Sequence, residues 1–228
     1  LEIIVVLDGY EPDFELVIDP RVRYIRQDNT GMRGAINRGV KESRGEYIAR
    51  FDEHIDVCAD WASILLNDIT ETDIWTGLRF FLNPVDWVVM DKYPVMAEKL
   101  IIDKNRNKFA GVKCKKPDGD IFEVTAMQGS FWIMSRKHWD SVIGELQTEG
   151  YGPLYQDSIE MIFKTWKNGG RLMRNNKMWY AHKDRSFSRT HNINADESQM
   201  SFDYSRELWK DDFEKYKKIW HQKFPYWY

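Results

Sequence analysis

Asp52 and His54 stand with one residue between them, and His182 and Arg185 lie three apart far downstream. A carboxylate and an imidazole at that spacing can share a divalent cation. Carboxylate oxygen suits Mg²⁺ or Mn²⁺, and imidazole suits the later transition metals. The pair closes the stretch Gly45-Glu46-Tyr47-Ile48-Ala49-Arg50-Phe51-Asp52-Glu53-His54, which reads as a short buried strand running out into a polar tip. In an open α/β sheet the carboxyl ends of strands are where ligands sit. His182 follows Met178-Trp179-Tyr180-Ala181, again at an expected strand end, so it is a candidate third ligand. Arg185 offers a guanidinium that can pair with a diphosphate and offset charge on a leaving group. Each residue also has a plainer reading: Asp52 as a helix cap, His54 and Arg185 as solvated surface groups, His182 as structural.

Three further positions carry possible chemistry. Asp8 ends the first strand and can accept from a base or ribose edge, or simply hold the turn before Gly9. Asp157 opens an amphipathic helix, where capping and the helix dipole explain it, or where it aims a carboxylate at a substrate. Gly129 precedes the apolar run Phe131-Trp132-Ile133-Met134 and admits either a bend or the close approach of a ligand.

These side chains need a scaffold, and the chain supplies an α/β pattern. Glu2 to Leu7 is a continuous β-branched run of the kind buried in parallel sheets. Val22 to Ile25 is a second strand, Met32 to Ser43 a helix, and the strand to Phe51 follows. That order implies a right-handed crossover and a parallel sheet. Asp60 to Asp68 reads as a helix and Asp73 to Leu78 as a strand. Phe80 to Lys108 reads as an irregular, partly helical insertion. Ala110 to Cys114 and Ile121 to Val124 flank Pro117-Asp118-Gly119-Asp120, a hairpin signal. Gln128 to Met134 is a strand and Arg136 to Ile143 a helix. Asp157 to Lys167 is an amphipathic helix stopped by Asn168-Gly169-Gly170. Arg171 to Arg174 and Lys177 to Ala181 are short strands, Lys183 to Gln199 a polar loop, and Tyr204 to Trp220 the terminal helix.

The totals fit one α/β domain over residues 1–228. The chain is 43% hydrophobic and 30% charged, and its net charge of −3 suggests no general nucleic-acid footprint. Two cysteines, Cys58 and Cys114, make neither a disulfide framework nor a zinc cluster. They favour a reducing compartment, so a cytoplasmic location is expected. No apolar run is long enough to span a bilayer.

The pattern resembles the nucleotide-sugar glycosyltransferases of the GT-A type. The residues that carry this are Glu2-Ile3-Ile4-Val5-Val6 with Asp8-Gly9, then Gly31, Ala35 and Gly39, then Gly45-Glu46-Tyr47-Ile48 with Asp52. The wide family 2 shares them. The closer likeness is to the polypeptide N-acetylgalactosaminyltransferases of family 27, whose metal motif has the form of Asp52-Glu53-His54. Thr125 to Phe131 is similar to that family's sugar-side segment, and Asp157 to Trp166 to its acidic helix. Ala181-His182-Lys183-Asp184-Arg185 resembles its distant metal and diphosphate motif. The likeness extends to Leu208-Trp209-Lys210-Asp211-Asp212-Phe213 in the terminal helix. The sequence departs from the pattern at Leu7, at Gln128 where a glycine is usual, and at Ser188 and Thr190. The family's first strand is expected upstream of Leu1 and is missing.

The resemblance implies a Rossmann-like, mostly parallel central sheet flanked by helices, with a small β-hairpin subsheet. It implies Mn²⁺, or Mg²⁺, on Asp52, His54 and His182. It implies a UDP-sugar donor met by Asp8, Asp52, Glu53, Gly129 and Arg185, with Asp157 and Arg185 as the catalytic pair. Family 27 implies retention at the anomeric carbon, and family 2 implies inversion with Asp157 as base. The acceptor is left open among a protein Ser/Thr, a glycan and a modified nucleobase. A viral-type enzyme acting on a modified base in nucleic acid is one alternative. A non-catalytic nucleotide-sugar-binding module is another.

Overall fold

A computed structural model describes all residues except 116–117, 153–154, 184–194, 226 and 228. The chain opens with two parallel strands, β1 (Ile3–Asp8) and β2 (Val22–Gln27). Helix α1 (Gly31–Glu42) follows and packs on β1. Next come β3 (Tyr47–Phe51), the short β4 (Ile55–Val57), α2 (Trp61–Leu66) and the long β5 (Ile74–Leu82). β6 (Val89–Val95), β7 (Lys99–Asp103), β8 (Lys108–Val112) and β9 (Ile121–Val124) are all strands. β10 (Phe131–Ser135) leads into α3 (Arg136–His138), which continues as one π-helical turn, Trp139–Ile143. α4 (Asp157–Lys167), β11 (Leu172–Lys183) and α5 (Ala195–Lys223) complete the described chain.

The central sheet has the order β3-β10-β5-β11-β4, with β6 added on β5 and β9 on β11. It is mixed, not mostly parallel as expected. Within it only β5 and β11 run parallel, and the other pairs are antiparallel. β1 and β2 form a separate parallel pair. The reason for the mistaken expectation lies in β10. Its run Phe131-Trp132-Ile133-Met134 is buried on both faces. Such a run announces a central strand, but it reads the same in either direction.

Period-2 alternation sorts β10 between two cores. Trp132 and Met134 enter the larger one with Ile162, Phe163 and Trp166 of α4 and Trp209 and Phe213 of α5. Phe131 and Ile133 enter the smaller one with Leu65 of α2 and Trp75 of β5. Stacked rings tie the layers: Trp132 on Trp139 with centroids 5.8 Å apart, and Phe163 on Trp209 at 5.2 Å. The amphipathic helix expected over Asp157 to Lys167 thus buries Ile159, Ile162, Phe163 and Trp166 in the larger core.

Four expectations need correction. Phe80 to Lys108, expected as an irregular, partly helical insertion, is a series of strands joined by short turns, with no helix. Its Pro84 and Pro94 break the alternation, and β6 is an edge strand that tolerates proline. The hairpin subsheet exists, but it joins β7 to β8. β9 pairs with β11, so the turn signal at Asp118-Gly119-Asp120 does not close a hairpin between β8 and β9; Pro117 lies outside the described residues. The two short strands expected over 171–181 are one strand, β11, whose register against β5 shifts between Asn175 and Trp179. The expected polar loop to Gln199 gives way to α5 from Ala195, and 184–194 lie outside the described residues.

The register shift has a local cause in Gly77. A Cβ there would lie 2.7 Å from the Met178 carbonyl oxygen. Glycine lets the bulged strand approach. Beyond the shift Met178 and Tyr180 sit in the smaller core, where the parity of Leu172 and Met173 would have put them in the larger one.

Candidate metal and donor site

Three neighbouring strand ends build the site. Asp52 follows β3, and its N–H donates to the Ser130 carbonyl at 3.1 Å, continuing the β3–β10 pairing. His54 precedes β4, which pairs antiparallel with β11 so that Ile55 faces His182. The Lys183 N–H donates to the His54 carbonyl at 3.0 Å and ties the two segments together. The distant His182 therefore arrives beside Asp52 and His54 through sheet pairing alone.

Ligand atoms of Asp52, His54 and His182 all lie within 4.8 Å of one another. The side chains are 19%, 13% and 14% exposed, so an ion can reach them from solvent. His182 Nε2 lies 2.9 Å from Asp52 Oδ2, and the two imidazole rings meet edge-on at 4.5 Å. His54 Nδ1 lies 2.9 Å from Glu53 Oε1, so a carboxylate orients that ring. One carboxylate and two imidazoles form a mixed oxygen and nitrogen set that could hold a divalent metal ion.

The electrostatics favour an ionised Asp52. Burial pushes its carboxyl up, but the His182 hydrogen bond and the Arg50 charge outweigh that and hold it below the usual carboxylate range. Arg50 Nη2 is 2.5 Å from Asp52 Oδ1. Glu53 is also held low, chiefly by its hydrogen bond with His54.

Gly129 and Asp157 meet on the neighbouring side. A Cβ at residue 129 would lie 2.9 Å from Asp157 Oδ2 and 3.0 Å from Oδ1. The close approach expected at Gly129 is that of a protein carboxylate. Arg50 Nη1 donates to the Gly129 carbonyl, which joins this pair to Asp52. Asp157 is buried, and its Oδ2 has no hydrogen-bond partner among the described residues. It does not cap α4; the capping position is Gln156. Tyr155 and Gln156 both take positive φ, 79° and 59°, to launch the helix. Left-handed backbone at two successive non-glycine residues is strained and needs support. Arg33 provides it. Its Nε donates to the Tyr155 carbonyl at 3.4 Å and its Nη1 to the Gln147 carbonyl at 3.0 Å. It forms a fully buried ion pair with Glu160 and lies 3.5 Å over the Tyr151 ring.

Asp8 stands apart from these residues. Its Oδ1 accepts from Gln27 Nε2 at 2.8 Å, from the Thr30 N–H at 2.8 Å and from Thr30 Oγ1 at 3.1 Å. It therefore holds the β2–α1 turn, a different turn from the one before Gly9. Arg185, Ser188 and Thr190 lie outside the described residues.

Sequence reasoning passed over Arg50 and Arg79. Arg50 is two residues before Asp52 and so shares its face, a signal that was available. Arg79 interrupts the apolar run of β5, and a charge there asks for a buried partner. Its Nη1 donates to Gln128 Oε1, and its Nη2 lies 3.2 Å from His182 Nδ1.

No curated protein matches the chain. Among solved structures, GalNAc-T7 crystallised with UDP, GalNAc and Mn²⁺ superimposes with a TM-score of 0.73 at 17% identity, over 99% of this chain. The match covers 46% of that protein's chain, so this chain spans about half its length. At that identity the likeness shows the fold, a GT-A fold. HddC from Yersinia pseudotuberculosis matches with a TM-score of 0.35 at 11% identity, over 72% of this chain and 62% of that one. The inositol-1-phosphate CTP transferase from T. maritima matches with a TM-score of 0.38 at 9% identity, over 81% and 67%. Both overlaps are too loose to carry an argument. The model of glycosyl transferase family 2 matches residues 1–137, more than half of the chain and the half that holds Asp8, Asp52, His54 and Gly129. The chain belongs to glycosyl transferase family 2.

Proposed function

We propose that this chain moves a hexose or N-acetylhexosamine from a UDP-sugar to an acceptor hydroxyl, with retention at the anomeric carbon. The observation that carries this is the convergence of Asp52, His54 and His182 beside the Gly129–Asp157 contact. The GalNAc-T7 structure, which holds UDP, GalNAc and Mn²⁺, supports the donor class. Retention goes with the form of the Asp52-Glu53-His54 motif.

Asp52, His54 and His182 would hold Mn²⁺ or Mg²⁺. A bound divalent ion supplies positive charge that stabilises a departing diphosphate. Glu53 orients His54 and lies at the donor edge. Asp8 holds the β2–α1 turn and, from the end of β1, meets the nucleoside. Gly129 leaves the sugar side open, since any larger residue would collide with Asp157. Asp157 orients a hydroxyl of the sugar or acceptor, because its unpartnered buried oxygen calls for a donor. Arg185 takes the diphosphate.

One observation favours a second reading. An unpartnered carboxylate oxygen is also the position a general base would hold, and family 2 resemblance implies inversion with Asp157 in that role. Proton NMR of the full chain with a panel of UDP-sugars separates the two. UDP release should need Mn²⁺, vanish with EDTA and vanish in His182→Ala. The first anomer formed reports retention or inversion. No metal-dependent release with any donor would move the assignment to a nucleotide-sugar-binding module.

A further inference from the structure

Two arginines brace residues 128 and 129 from the metal side. Arg50 joins Asp52 to the Gly129 carbonyl, and Arg79 joins the His182 ring to the half-buried side chain of Gln128. The Arg79 guanidinium is itself held, with its central carbon 5.6 Å from the centre of the Phe81 ring. A guanidinium has donors and no acceptor. It therefore decides which end of the Gln128 amide it meets. Oε1 accepts from Arg79 Nη1, and the amide nitrogen is left turned away from the guanidinium. That nitrogen makes no hydrogen bond among the described residues. It is not one of the fully buried atoms without a partner, so solvent reaches it.

Asp157 supplies the complement. Its Oδ2 is a buried acceptor without a partner among the described residues, and it lies 2.9 Å from where a Cβ on residue 129 would stand. Residues 128 and 129 share one peptide unit, so their Cα atoms are about 3.8 Å apart. An unused donor on one residue and an unused acceptor over the next flank a position that has no side chain. A buried acceptor left so calls for a partner. A hydroxyl both gives and takes hydrogen bonds, and a hexose carries hydroxyls on neighbouring carbons.

We infer, on the UDP-sugar reading given above, that Gln128 is a specificity-determining residue for the donor sugar. Its Nε2–H donates to the oxygen of one sugar hydroxyl, beside the hydroxyl that donates to Asp157. The substrate class is then a hexose with two neighbouring free hydroxyls at the edge that faces residues 128 and 129. A sugar that lacks or inverts one of them leaves a polar group of the site unpaired, which is how such a site discriminates.

Isothermal titration of the full chain with Mn²⁺ present compares UDP with UDP-glucose, UDP-galactose and analogues of each that lack one hydroxyl. In wild type, losing the hydroxyl that faces Gln128 should weaken binding about tenfold, the scale of one well-made hydrogen bond. Gln128→Leu should bind UDP as wild type does and bind the preferred UDP-hexose about tenfold more weakly. It should no longer distinguish that hexose from the analogue without the hydroxyl, because the two losses remove the same contact. In proton–nitrogen NMR of the wild type, the side-chain amide of Gln128 should shift with the UDP-hexose and stay in place with UDP alone; this arm needs no variant to fold. An equal loss for UDP and UDP-hexose in Gln128→Leu, an unchanged ranking of the sugars, or an amide that ignores the sugar would overturn the assignment. Failure of the donor reading looks different: the wild type would bind none of these nucleotides.

Discussion

Asp157 holds its carboxylate over Gly129 so closely that a methyl group on residue 129 would sit 2.9 Å from Oδ2. The backbone at Gly129 does not have a positive φ, so the requirement for glycine comes from space and not from conformation. Gly129→Ala should therefore fold normally and push Asp157 aside. Turnover should fall by tenfold or more, roughly the effect of misplacing a reacting group. The circular dichroism spectrum should be unchanged. Wild-type kcat in Gly129→Ala would remove Asp157 from the catalytic account.

The ligand set makes a separate prediction. Asp52→Asn keeps the shape of the side chain but loses the charge that holds Arg50 and His182. Mn²⁺ affinity should drop by at least about tenfold. Isothermal titration of the metal alone reads this directly. Affinity equal to wild type would mean that the ion, if bound, sits elsewhere.

The Arg33–Glu160 pair is fully buried, and Glu160 also takes Lys164 Nζ at 2.7 Å on its other oxygen. Removing Arg33 leaves the Glu160 carboxylate with Lys164 as its remaining cation. Arg33→Met should cost about 3 kcal/mol of stability in urea unfolding, the low end for a broken buried pair, because Lys164 still faces Glu160. Exchanging both, as Arg33→Met with Glu160→Leu, should recover much of that loss. Activity should not recover, because the strained Tyr155–Gln156 turn loses the donor that steadies it. Restored activity in the double variant would show that Asp157 is positioned without Arg33.

His138 gives a pH dependence with a definite sign. Burial pulls its pKa down from 6.5 to about 4, while Asp73 opposes the shift. Its Nε2 lies 2.9 Å from Thr165 Oγ1. Between pH 6.5 and 4 the unfolded chain holds a proton that the folded chain lacks, so stability rises with pH there. The contribution is complete above the unfolded value and is lost as pH falls towards 4, at up to about 1.4 kcal/mol per pH unit. Unfolding midpoints in denaturant should fall over this window in wild type and fall less in His138→Gln. Parallel curves for the two proteins would refute the assignment.

Much of the site was legible before the fold was seen. Asp52, His54 and His182 each stand at the end of an apolar run, and strand ends converge on one edge of a sheet. The helix carrying Asp157 showed its face by periodicity alone. Other features were hidden for physical reasons. Strand direction leaves no mark on Phe131 to Met134, which is buried on both faces. Pro94 disguised β6, since a breaker in an edge strand looks like a breaker in a loop. Arg79 was missed because its partner His182 is 103 residues away, a separation that no local pattern spans. Asp157 looked like a cap because the first turn of a helix is where caps and active carboxylates both occur.

The shift in register between β5 and β11 also counts. Asn175 faces Gly77 and Trp179 faces Leu78, so three extra residues enter β11 at that point. Three is odd, and an odd insertion exchanges the two faces of everything beyond it. That exchange is what turns His182 towards Asp52. A one-residue slip of β11 against β5 beyond this point would swing Ala181 and Lys183 to the ligand side and His182 to the back, with no ligand mutated. The placement of His182 beside Asp52 is in this sense encoded arithmetically, by the length of a bulge about two turns of the pleat away.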